Sequence, residues 1–238
     1  MLAEERFSKI LSIIEEAGSV TVQDLMEELG ASESTIRRDL NTMDANGLLV
    51  KVFGGAVAKN TNIRTQDENV DNRKLQNIEE KVAIAKYAAS LIQSGDFVYI
   101  DAGTSTELVI DYIKVTNVTF VTNSLTHAKK LSDKGYTVYI LGGEFKSTTE
   151  AIVGEEAVET LDKYNFTKGF WGTNGVNITK GFTTPEVKEA MVKKKSMENC
   201  KERYVLADSS KFSQISSVKF SEFDNATIIT TELRNASY

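Results

Sequence analysis

The stretch that decides the fold of this chain is Asp96–Ile113, "DFVYIDAGTSTELVIDYI". It begins with a short apolar run typical of a buried strand and ends with a longer run typical of a helix. Between them, Asp101–Thr106 supplies one glycine and three hydroxyl residues. Backbone N–H groups at the start of a helix attract anions, so a glycine-containing turn from strand to helix is typical of a phosphate cradle. The stretch therefore predicts an α/β unit with an anion site at this turn.

The same alternation of strand-like and helix-like runs extends over residues 76–238. It predicts a largely parallel sheet with helices on both faces. Strands are predicted at 96–100, 118–122, 136–141, 166–173, 202–207 and 226–230, and helices at 76–93, 106–113, 124–134, 155–164 and 186–200.

In open α/β sheets, ligands bind at the carboxyl ends of the strands, where loops lead into helices. Five such loops carry small polar or charged residues, namely Asp101–Thr106, Thr122–Ser124, Gly142–Gly143, Gly172–Gly175 and Asp208–Lys211. We expect the backbone of 103–106 and the hydroxyls of Thr104, Ser105 and Thr106 to hold a phosphate. Asp101 and Asn123 are expected to bind sugar hydroxyls, and Lys211 to neutralise charge. Taken singly, each motif also fits an ordinary turn or helix cap.

The first 57 residues show a different pattern. Apolar residues recur at helical spacing in 3–17, 21–29 and 32–46, and the second helix begins with a capping-box pair, Thr21 and Asp24. Ser32 is a predicted N-cap for the third helix, and "LLVKVFGGAVA" (48–58) reads as a hairpin. Three short helices and a hairpin predict a winged helix-turn-helix domain.

In that geometry the N-terminal part of the third helix enters the DNA major groove. The candidate DNA-binding residues are Ser32, Ser34, Thr35, Arg37 and Arg38, with Lys51 on the hairpin. Residues 34–59 carry Arg37, Arg38, Lys51 and Lys59 against Asp39 and Asp44, a net charge of +2. The alternative at this level is a three-helix module that binds another protein.

Composition narrows the function classes. The chain has 238 residues, a net charge of −6, one histidine and one cysteine. A single histidine and a single cysteine argue against a zinc site, and we expect no metal and no cofactor. No apolar run approaches the roughly 20 residues that span a bilayer, and the charged N-terminus does not resemble a signal peptide. A cytoplasmic protein without a membrane partner is therefore expected.

The expected domains are residues 1–57 for the winged helix, 58–75 for an exposed polar linker, and 76–238 for the α/β unit. Three further features have ordinary interpretations at this level. His127 is expected on a helix surface, Lys193–Lys195 on a solvated helix face, and Cys200 as a buried apolar residue.

The quoted motifs carry a family resemblance. "ASESTIRRDL" followed by "NGLLVKVFGGAV" resembles the N-terminal signature of the DeoR family of bacterial transcriptional repressors, although Phe53 stands where the family usually has histidine. "DAGTST", "VTNS", "LGGE", "GTNG", "GFTTPEVKEAMVKKK" and "VLADSSKF" resemble successive signatures of that family's C-terminal sensor domain. The resemblance thus covers nearly the whole chain.

The resemblance implies a sensor fold similar to sugar-phosphate isomerases, an operator DNA partner and a homo-oligomer, either a dimer or a tetramer. It also implies a phosphorylated-sugar effector. "GTNGV", "GFTTPE" and "YVLADSSKFSQIS" are most similar to the fructose operon repressors of the family, so fructose 1-phosphate is the expected inducer. The implied effector-site residues are Asp101, Gly103, Thr104, Ser105, Thr106, Asn123, Ser124, Gly143, Asn174, Glu189 and Lys211.

Three functions remain open from the residues alone. The first is an effector-controlled repressor, and the second is a DNA-binding protein whose large domain only oligomerises. The third is an isomerase, which needs a general base. The loop at 172–175 offers Asn174, an amide that cannot act as a base, while Glu189 and Asp208 remain as carboxylates. We expect no catalysis, because a sensor that consumes its own signal is a poor sensor.

Overall fold

The computed structural model describes residues 2–17, 19–58, 65–212 and 214–231. The described residues within 1–63 form a small unit, and those within 64–212 and 216–238 form a large unit. Each unit has its own hydrophobic core. None of the helices in these described ranges is long and apolar enough to cross a membrane.

The small unit has the predicted three helices and hairpin. Its elements are α1 (Ala3–Ala17), β1 (Ser19–Thr21), α2 (Val22–Leu29), α3 (Glu33–Ala45), β2 (Leu49–Val52) and β3 (Gly55–Ala58). Both predicted helix starts are present: the hydroxyl of Thr21 accepts from the N–H of Asp24, and that of Ser32 accepts from the N–H of Thr35. Gly30 ends α2 in the left-handed conformation that glycine adopts at low cost.

A third strand, β1, was not predicted, and it explains the glycine pair of the hairpin. The sheet order is β1-β3-β2, with both pairs antiparallel. A Cβ at Gly55 would lie 2.1 Å from the carbonyl oxygen of Val20 on β1. Residue 55 therefore has to be glycine for β1 to pair with β3.

The small unit also contains a buried ion pair. Arg6 on α1 donates to both carboxylate oxygens of Asp39 on α3, at 2.5 and 3.1 Å. Asp39 is 3% exposed and lies beside the apolar core around Ile36 and Leu40. The acidic residue of "RRDL" thus fixes α3 against α1, and it is not part of the surface that the neighbouring arginines form.

The large unit alternates strands and helices as predicted, with additional short elements. In chain order they are α4 (Val70–Lys74), α5 (Ile78–Ser90), β4 (Phe97–Ile100), α6 (Thr104–Tyr112), β5 (Thr119–Thr122), α7 (Leu125–Asp133), β6 (Thr137–Ile140), β7 (Glu144–Lys146), β8 (Ala151–Val153), α8 (Glu155–Leu161), β9 (Phe166–Gly172), β10 (Gly175–Asn177), β11 (Gly181–Thr184), α9 (Val187–Glu198), β12 (Cys200–Leu206), β13 (Val218–Ser221) and β14 (Thr227–Ile229).

Six of these strands form one sheet in the order β14-β12-β9-β4-β5-β6, and every neighbouring pair is parallel. Helices cover both faces. Val98 and Ile100 of β4 pack into a core with α5, α6 and α7, whereas Tyr99 between them packs into the core with α8 and α9. The alternation of a strand's side chains between two buried faces explains why β4, "FVYI", is wholly apolar.

Two small sheets were missed by the sequence analysis. β7 pairs with β8, and β10, β11 and β13 form a three-stranded sheet. Their strands are three or four residues long, such as "EFK" and "GVN", which is too short for alternation to be recognised in the sequence.

Residues 65–75 of the predicted exposed linker are mostly exposed, but they belong to the large unit and have specific anchors on it. Residues 59–64 lie outside the described residues, but 65–75 pack against the large unit and contain α4. Val70 is 6% exposed, and its N–H donates to the carbonyl of Thr148 at 3.2 Å. The attachment of this segment could not be predicted from its polar composition, because it depends on one valine and on several charged side chains with specific partners.

Candidate effector site and nucleic-acid interface

A pocket of the large unit lies at the carboxyl ends of β12, β9, β4 and β5, which are adjacent in the sheet. Parallel strands place all four following loops at this edge, so residues far apart in sequence come together. The pocket is lined by Glu68, Arg73, Lys81, Asp101, Ala102, Gly103, Thr104, Ser105, Asn123, Thr149, Ala151, Gly172, Thr173, Asn174, Glu189, Lys193, Leu206 and Lys211.

The turn from β4 to α6, Asp101–Ser105, forms one wall of the pocket. Helix α6 begins at Thr104, and Gly103 at its N-cap position offers no capping side chain. The N–H groups of the first turn therefore have no side-chain acceptor from the N-cap, and Gly103, Thr104 and Ser105 line the pocket. Free N–H groups at a helix start are the arrangement that binds anions. Asn123 holds the turn in place, because its Oδ1 accepts from the N–H of Ala102 at 2.8 Å.

Lys81 of α5 reaches the same wall. Its ammonium donates to the Thr104 hydroxyl at 3.1 Å and to the carbonyl of Arg73 at 2.5 Å, and the residue is 3% exposed. Burial lowers the pKa of Lys81; Asp208 and, more weakly, Glu68 oppose this effect, while the cations Lys211 and Arg73 add to it. Among the described residues no carboxylate lies within ion-pair distance of Lys81. An anion at the start of α6 would supply the missing counter-charge.

Asp101 and Lys193 form a buried ion pair across the pocket floor. The Lys193 ammonium contacts Asp101 Oδ2 and also donates to the carbonyl of Gly172 at 3.1 Å. Burial raises the pKa of Asp101, and Lys193 offsets this only in part. The expectation of a solvated face at 193–195 is wrong for Lys193, which is 6% exposed. Lys194 beside it is exposed, as expected.

Glu189 is the centre of a second buried network. Its carboxylate accepts from Thr149 at 2.5 Å, from Lys146 at 3.1 Å and from Thr184 at 3.4 Å. Burial alone would raise its pKa, but Lys193 and Lys146 outweigh that effect and leave the pKa below its ordinary value. Glu189 is therefore held as a carboxylate in the pocket wall.

The structure brings eight of the eleven predicted effector-site residues together in this pocket: Asp101, Gly103, Thr104, Ser105, Asn123, Asn174, Glu189 and Lys211. Asn123 also donates to the carbonyl of Ile152 at 3.3 Å, so its amide mainly fixes two loops. Asn174 donates to Asp67 and accepts from Thr184, each at 3.2 Å.

Three predicted residues do not line the pocket. The hydroxyl of Thr106 donates to the carbonyl of Asp101 at 2.6 Å and is fully buried, so it braces the turn from inside. Ser124 caps α7 by accepting from the N–H of His127 at 3.2 Å. Gly143 has a positive φ of 133°, and a Cβ there would lie 2.7 Å from the carbonyl of Val153. All three shape the loops, and none faces the cavity.

His127 was expected on a helix surface, and this expectation is wrong. The residue is 2% exposed, and neither ring nitrogen has a hydrogen-bond partner among the described residues. Burial lowers the pKa of His127 to about 3, and the backbone of Gly103 is the main opposing influence. His127 is therefore neutral and packs behind the turn that carries the anion site. Cys200 is buried as expected, and burial raises the pKa of its thiol to about 12.

Three cationic pocket residues were missed, namely Arg73, Lys81 and Lys193. The burial of Lys81 could have been predicted from the sequence, because Lys81 stands at helical spacing from the buried residues Ala85, Ala88 and Ile92. A lysine in an apolar stripe is buried for a reason, usually a partner or a ligand. Within the described ranges, no three His, Cys, Asp or Glu side chains are grouped as a metal site.

The candidate DNA surface lies on α3 and the hairpin of the small unit. Ser32, Ser34, Arg37, Arg38 and Lys51 are exposed, and Thr35 is half-buried. Arg37 is paired with Glu33 one turn earlier at 2.7 Å, with both side chains about half exposed. Phe53 at the hairpin tip is fully exposed. Two adjacent arginines and a set of hydroxyls at the start of a helix match what major-groove and phosphate contacts require.

Comparison with known proteins accounts for both units. The model of the DeoR-like helix-turn-helix domain matches residues 6–62, and that of the DeoR C terminal sensor domain matches residues 76–232. The chain belongs to the DeoR family. As a DeoR-family protein it is a DNA-binding transcriptional regulator with a sensor domain. Neither family model covers residues 63–75.

Individual DeoR relatives match over the full length. The chain is 43% identical to a Bacillus subtilis protein named "Uncharacterized HTH-type transcriptional regulator FruR", over 100% of this chain and 94% of that one. It is 32% identical to the lactose phosphotransferase system repressor of Streptococcus mutans, over 99% and 94%. Among solved structures, ribose 5-phosphate isomerase A from Methanocaldococcus jannaschii matches with a TM-score of 0.43 and 19% identity, covering 57% of this chain and 55% of that one.

Proposed function

We propose that this DeoR-family protein represses a fructose utilisation operon and is released from its operator by fructose 1-phosphate. The observation that carries the proposal is the uncapped start of α6 beside the buried ammonium of Lys81. Backbone N–H groups, the hydroxyls of Thr104 and Ser105 and an unpaired cation together suit a phosphate monoester. The names of the relatives, a FruR regulator and sugar phosphotransferase repressors, support a sugar as the rest of the ligand.

The opposite side of the pocket suits sugar hydroxyls. Asp101, Asn174 and Glu189 present carboxylate and amide groups there, and hydroxyl groups donate to carboxylates in well-formed hydrogen bonds. Because each of these side chains already has protein partners, its position is fixed before a ligand arrives. Fixed acceptors lose little entropy on binding and favour one arrangement of hydroxyls over another.

The same partners argue against turnover. A general base needs a carboxylate whose lone pair is free to take a proton. Asp101 is paired with Lys193, and Glu189 accepts from Lys146, Thr149 and Thr184. Asp208 accepts from Asn77 and Ser210 and does not line the pocket. Asn174 is an amide at the loop where an isomerase base is expected. An isomerase-like activity is the less favoured alternative, and a second alternative is a repressor that responds to another ketose phosphate such as tagatose 6-phosphate.

Linkage connects the two sites in this proposal. If the ligand binds one arrangement of a dimer or tetramer more tightly, and operator half-sites require another, effector binding lowers operator affinity. Near-complete switching takes about 5.5 kcal/mol of differential binding. The sign of the coupling, repression rather than activation, is part of the proposal.

The test is fluorescence anisotropy of the full-length protein on DNA from its own promoter, titrated with sugar phosphates at fixed salt. Salt is fixed because phosphate contacts make DNA affinity strongly salt-dependent. We expect fructose 1-phosphate to release the DNA, and unphosphorylated fructose to have no effect. Release by tagatose 6-phosphate alone would move the assignment to that alternative.

Two controls test the two remaining alternatives, an isomerase and a large unit that only oligomerises. NMR of the ligand after long incubation shows whether it is converted, and conversion would support the isomerase alternative. If the DNA binds but no sugar phosphate binds or releases it, the large unit serves oligomerisation and the effector proposal is wrong.

A further inference from the structure

Residues 65–75, which we call the connecting segment, follow the winged helix in sequence and form part of the pocket wall. Two of its residues, Glu68 and Arg73, line the pocket, although the segment lies in the interval that neither family model covers. The segment is attached to the large unit at specific points. Asp67 accepts from Lys146 at 2.6 Å and from Asn174 at 3.2 Å, and both partners belong to the pocket region.

Arg73 has an unfilled hydrogen-bonding capacity in this wall. Its Nε is buried and has no hydrogen-bond partner among the described residues. A buried guanidinium N–H without a partner is costly, so such groups are normally satisfied by protein, water or a ligand. The carbonyl of the same residue accepts from Lys81, which in turn contacts Thr104 at the start of α6. Arg73 therefore lies close to the cation that marks the anion site.

The charges that line this wall also indicate an anion site close to Arg73. Its lining includes the cations Arg73, Lys81, Lys193 and Lys211 and the carboxylates Glu68, Asp101 and Glu189, and Asp101 already neutralises Lys193. Arg73 and Lys81 have no carboxylate within ion-pair distance among the described residues. Two adjacent cations that form no ion pair, beside an uncapped helix start, suit an anion, and a guanidinium suits phosphate oxygens because its N–H groups form a planar fork.

We propose that Arg73 is a direct ligand of the effector's phosphate, so that effector binding fixes the connecting segment against the large unit. This inference rests on the proposed function, since it assigns a further residue to the same site. It also gives that site a physical link to the residues that follow the DNA-binding unit in sequence. Occupancy of the pocket then changes the order of the segment that the winged helix is attached to.

The experiment is isothermal titration calorimetry of the full-length protein with fructose 1-phosphate and with inorganic phosphate. Wild type is compared with Arg73→Gln, Arg73→Lys and the control Lys74→Gln. Lys74 is the neighbouring cation on α4, it pairs with Glu107 at 3.3 Å, and it does not line the pocket. We expect Arg73→Gln to weaken both probes by about 10- to 100-fold, the usual effect of losing a hydrogen bond to a charged group. Arg73→Lys should lose less, and Lys74→Gln should stay within about twofold.

A second readout separates ligation from a merely structural role. Hydrogen exchange at the N–H of Val70, which donates to Thr148, should slow on addition of fructose 1-phosphate in wild type and not in Arg73→Gln. Ligand-free stability should be the same in both. Binding of both probes by Arg73→Gln at wild-type affinity overturns the assignment of Arg73 while leaving the proposed function standing. If the wild type binds neither probe, the proposed function and this inference both fall.

Discussion

Replacing Lys81 by methionine should separate binding from stability. Lys81 is a buried cation without a carboxylate partner among the described residues, and its ammonium donates to the Thr104 hydroxyl and the Arg73 carbonyl. In the proposed complex it also donates to the phosphate. Methionine has a similar length and no charge, so it fills the same space while removing only the electrostatic part of the interaction.

Two opposing effects determine the stability of the ligand-free variant. Losing two hydrogen bonds costs about 1 kcal/mol each, and removing an uncompensated buried charge returns a similar amount or more. We therefore expect the free energy of unfolding of Lys81→Met to lie within about 1 kcal/mol of wild type, or to rise. In the complex with the effector, removing the charge brings no such gain, because the phosphate then loses a cationic partner. Effector affinity should fall by about 10- to 150-fold, corresponding to about 1.5 to 3 kcal/mol for a hydrogen bond to a charged group.

The assay is urea denaturation for stability, together with calorimetric titration of fructose 1-phosphate. Lys86→Met is the matched control, because Lys86 lies on the same helix but is exposed over the ring of Tyr112. Wild-type affinity in Lys81→Met would refute the placement of the phosphate at the start of α6. A loss of several kcal/mol in stability with unchanged affinity would show that Lys81 is structural.

Three further outcomes are expected. Arg37→Ala should weaken operator binding and leave effector binding intact. If Arg37 contacts a phosphate, the magnitude of the slope of log K against the logarithm of the salt concentration should fall by about 0.9. Anisotropy over a salt series measures both effects. His127, whose pKa is lowered to about 3 by burial, binds a proton more readily when unfolded. Wild-type stability should therefore fall by up to about 1.4 kcal/mol per pH unit more steeply than that of His127→Phe between pH 6.5 and 3, as measured by denaturation at each pH. Fructose 1,6-bisphosphate should compete with fructose 1-phosphate at least about tenfold more weakly, because its second phosphate would meet the carboxylates of Asp101 and Glu189; equal competition would contradict the proposed orientation.

The local sequence was sufficient to predict the strand, the turn and the helix that form one wall of the site. The run from Phe97 to Tyr112 predicted a strand, a glycine turn and a helix, and the structure has β4, Gly103 and α6 there. This worked because a buried parallel strand is apolar on both faces and because its carboxyl end must meet the next helix. Alternation of such units then implied that several loops share one edge, which placed Asn123 and Asn174 beside the turn.

The local sequence was not sufficient to predict that Lys193 and Arg73 line the pocket. Lys193 lies in a run of three lysines that reads as a solvated face, and its burial depends on Asp101, which is 92 residues away. Arg73 lies in a polar segment whose attachment depends on Lys146 and Asn174, from β7 and the loop after β9. These are pairings between distant elements, and neither periodicity nor composition encodes them.

The hydroxyl residues illustrate a different error. Thr104, Ser105 and Thr106 are equivalent in composition, yet only the first two line the pocket. The helix that begins at Thr104 turns by about 100° per residue, so three consecutive side chains cannot face the same way. Thr106 points inward and donates to the carbonyl of Asp101. The predicted helix began at residue 106, so Thr104 and Ser105 were not placed on it; helical geometry applied from the observed start at Thr104 assigns one of the three hydroxyls to the interior.

The distribution of charge within the pocket also orients the ligand. Arg73 of α4 and Lys81 of α5 form no ion pair among the described residues, and Lys81 contacts Thr104 at the start of α6. The carboxylates of Asp101, at the end of β4, and Glu189, on α9, are each paired with a lysine. A phosphate is stabilised beside the two cations and repelled by the two carboxylates, while hydroxyl groups find acceptors in the carboxylates. A molecule with a single phosphate at one end and hydroxyls along the rest matches this polarity. Under the proposed function, a sugar monophosphate binds in one direction, with its phosphate toward Arg73 of the connecting segment.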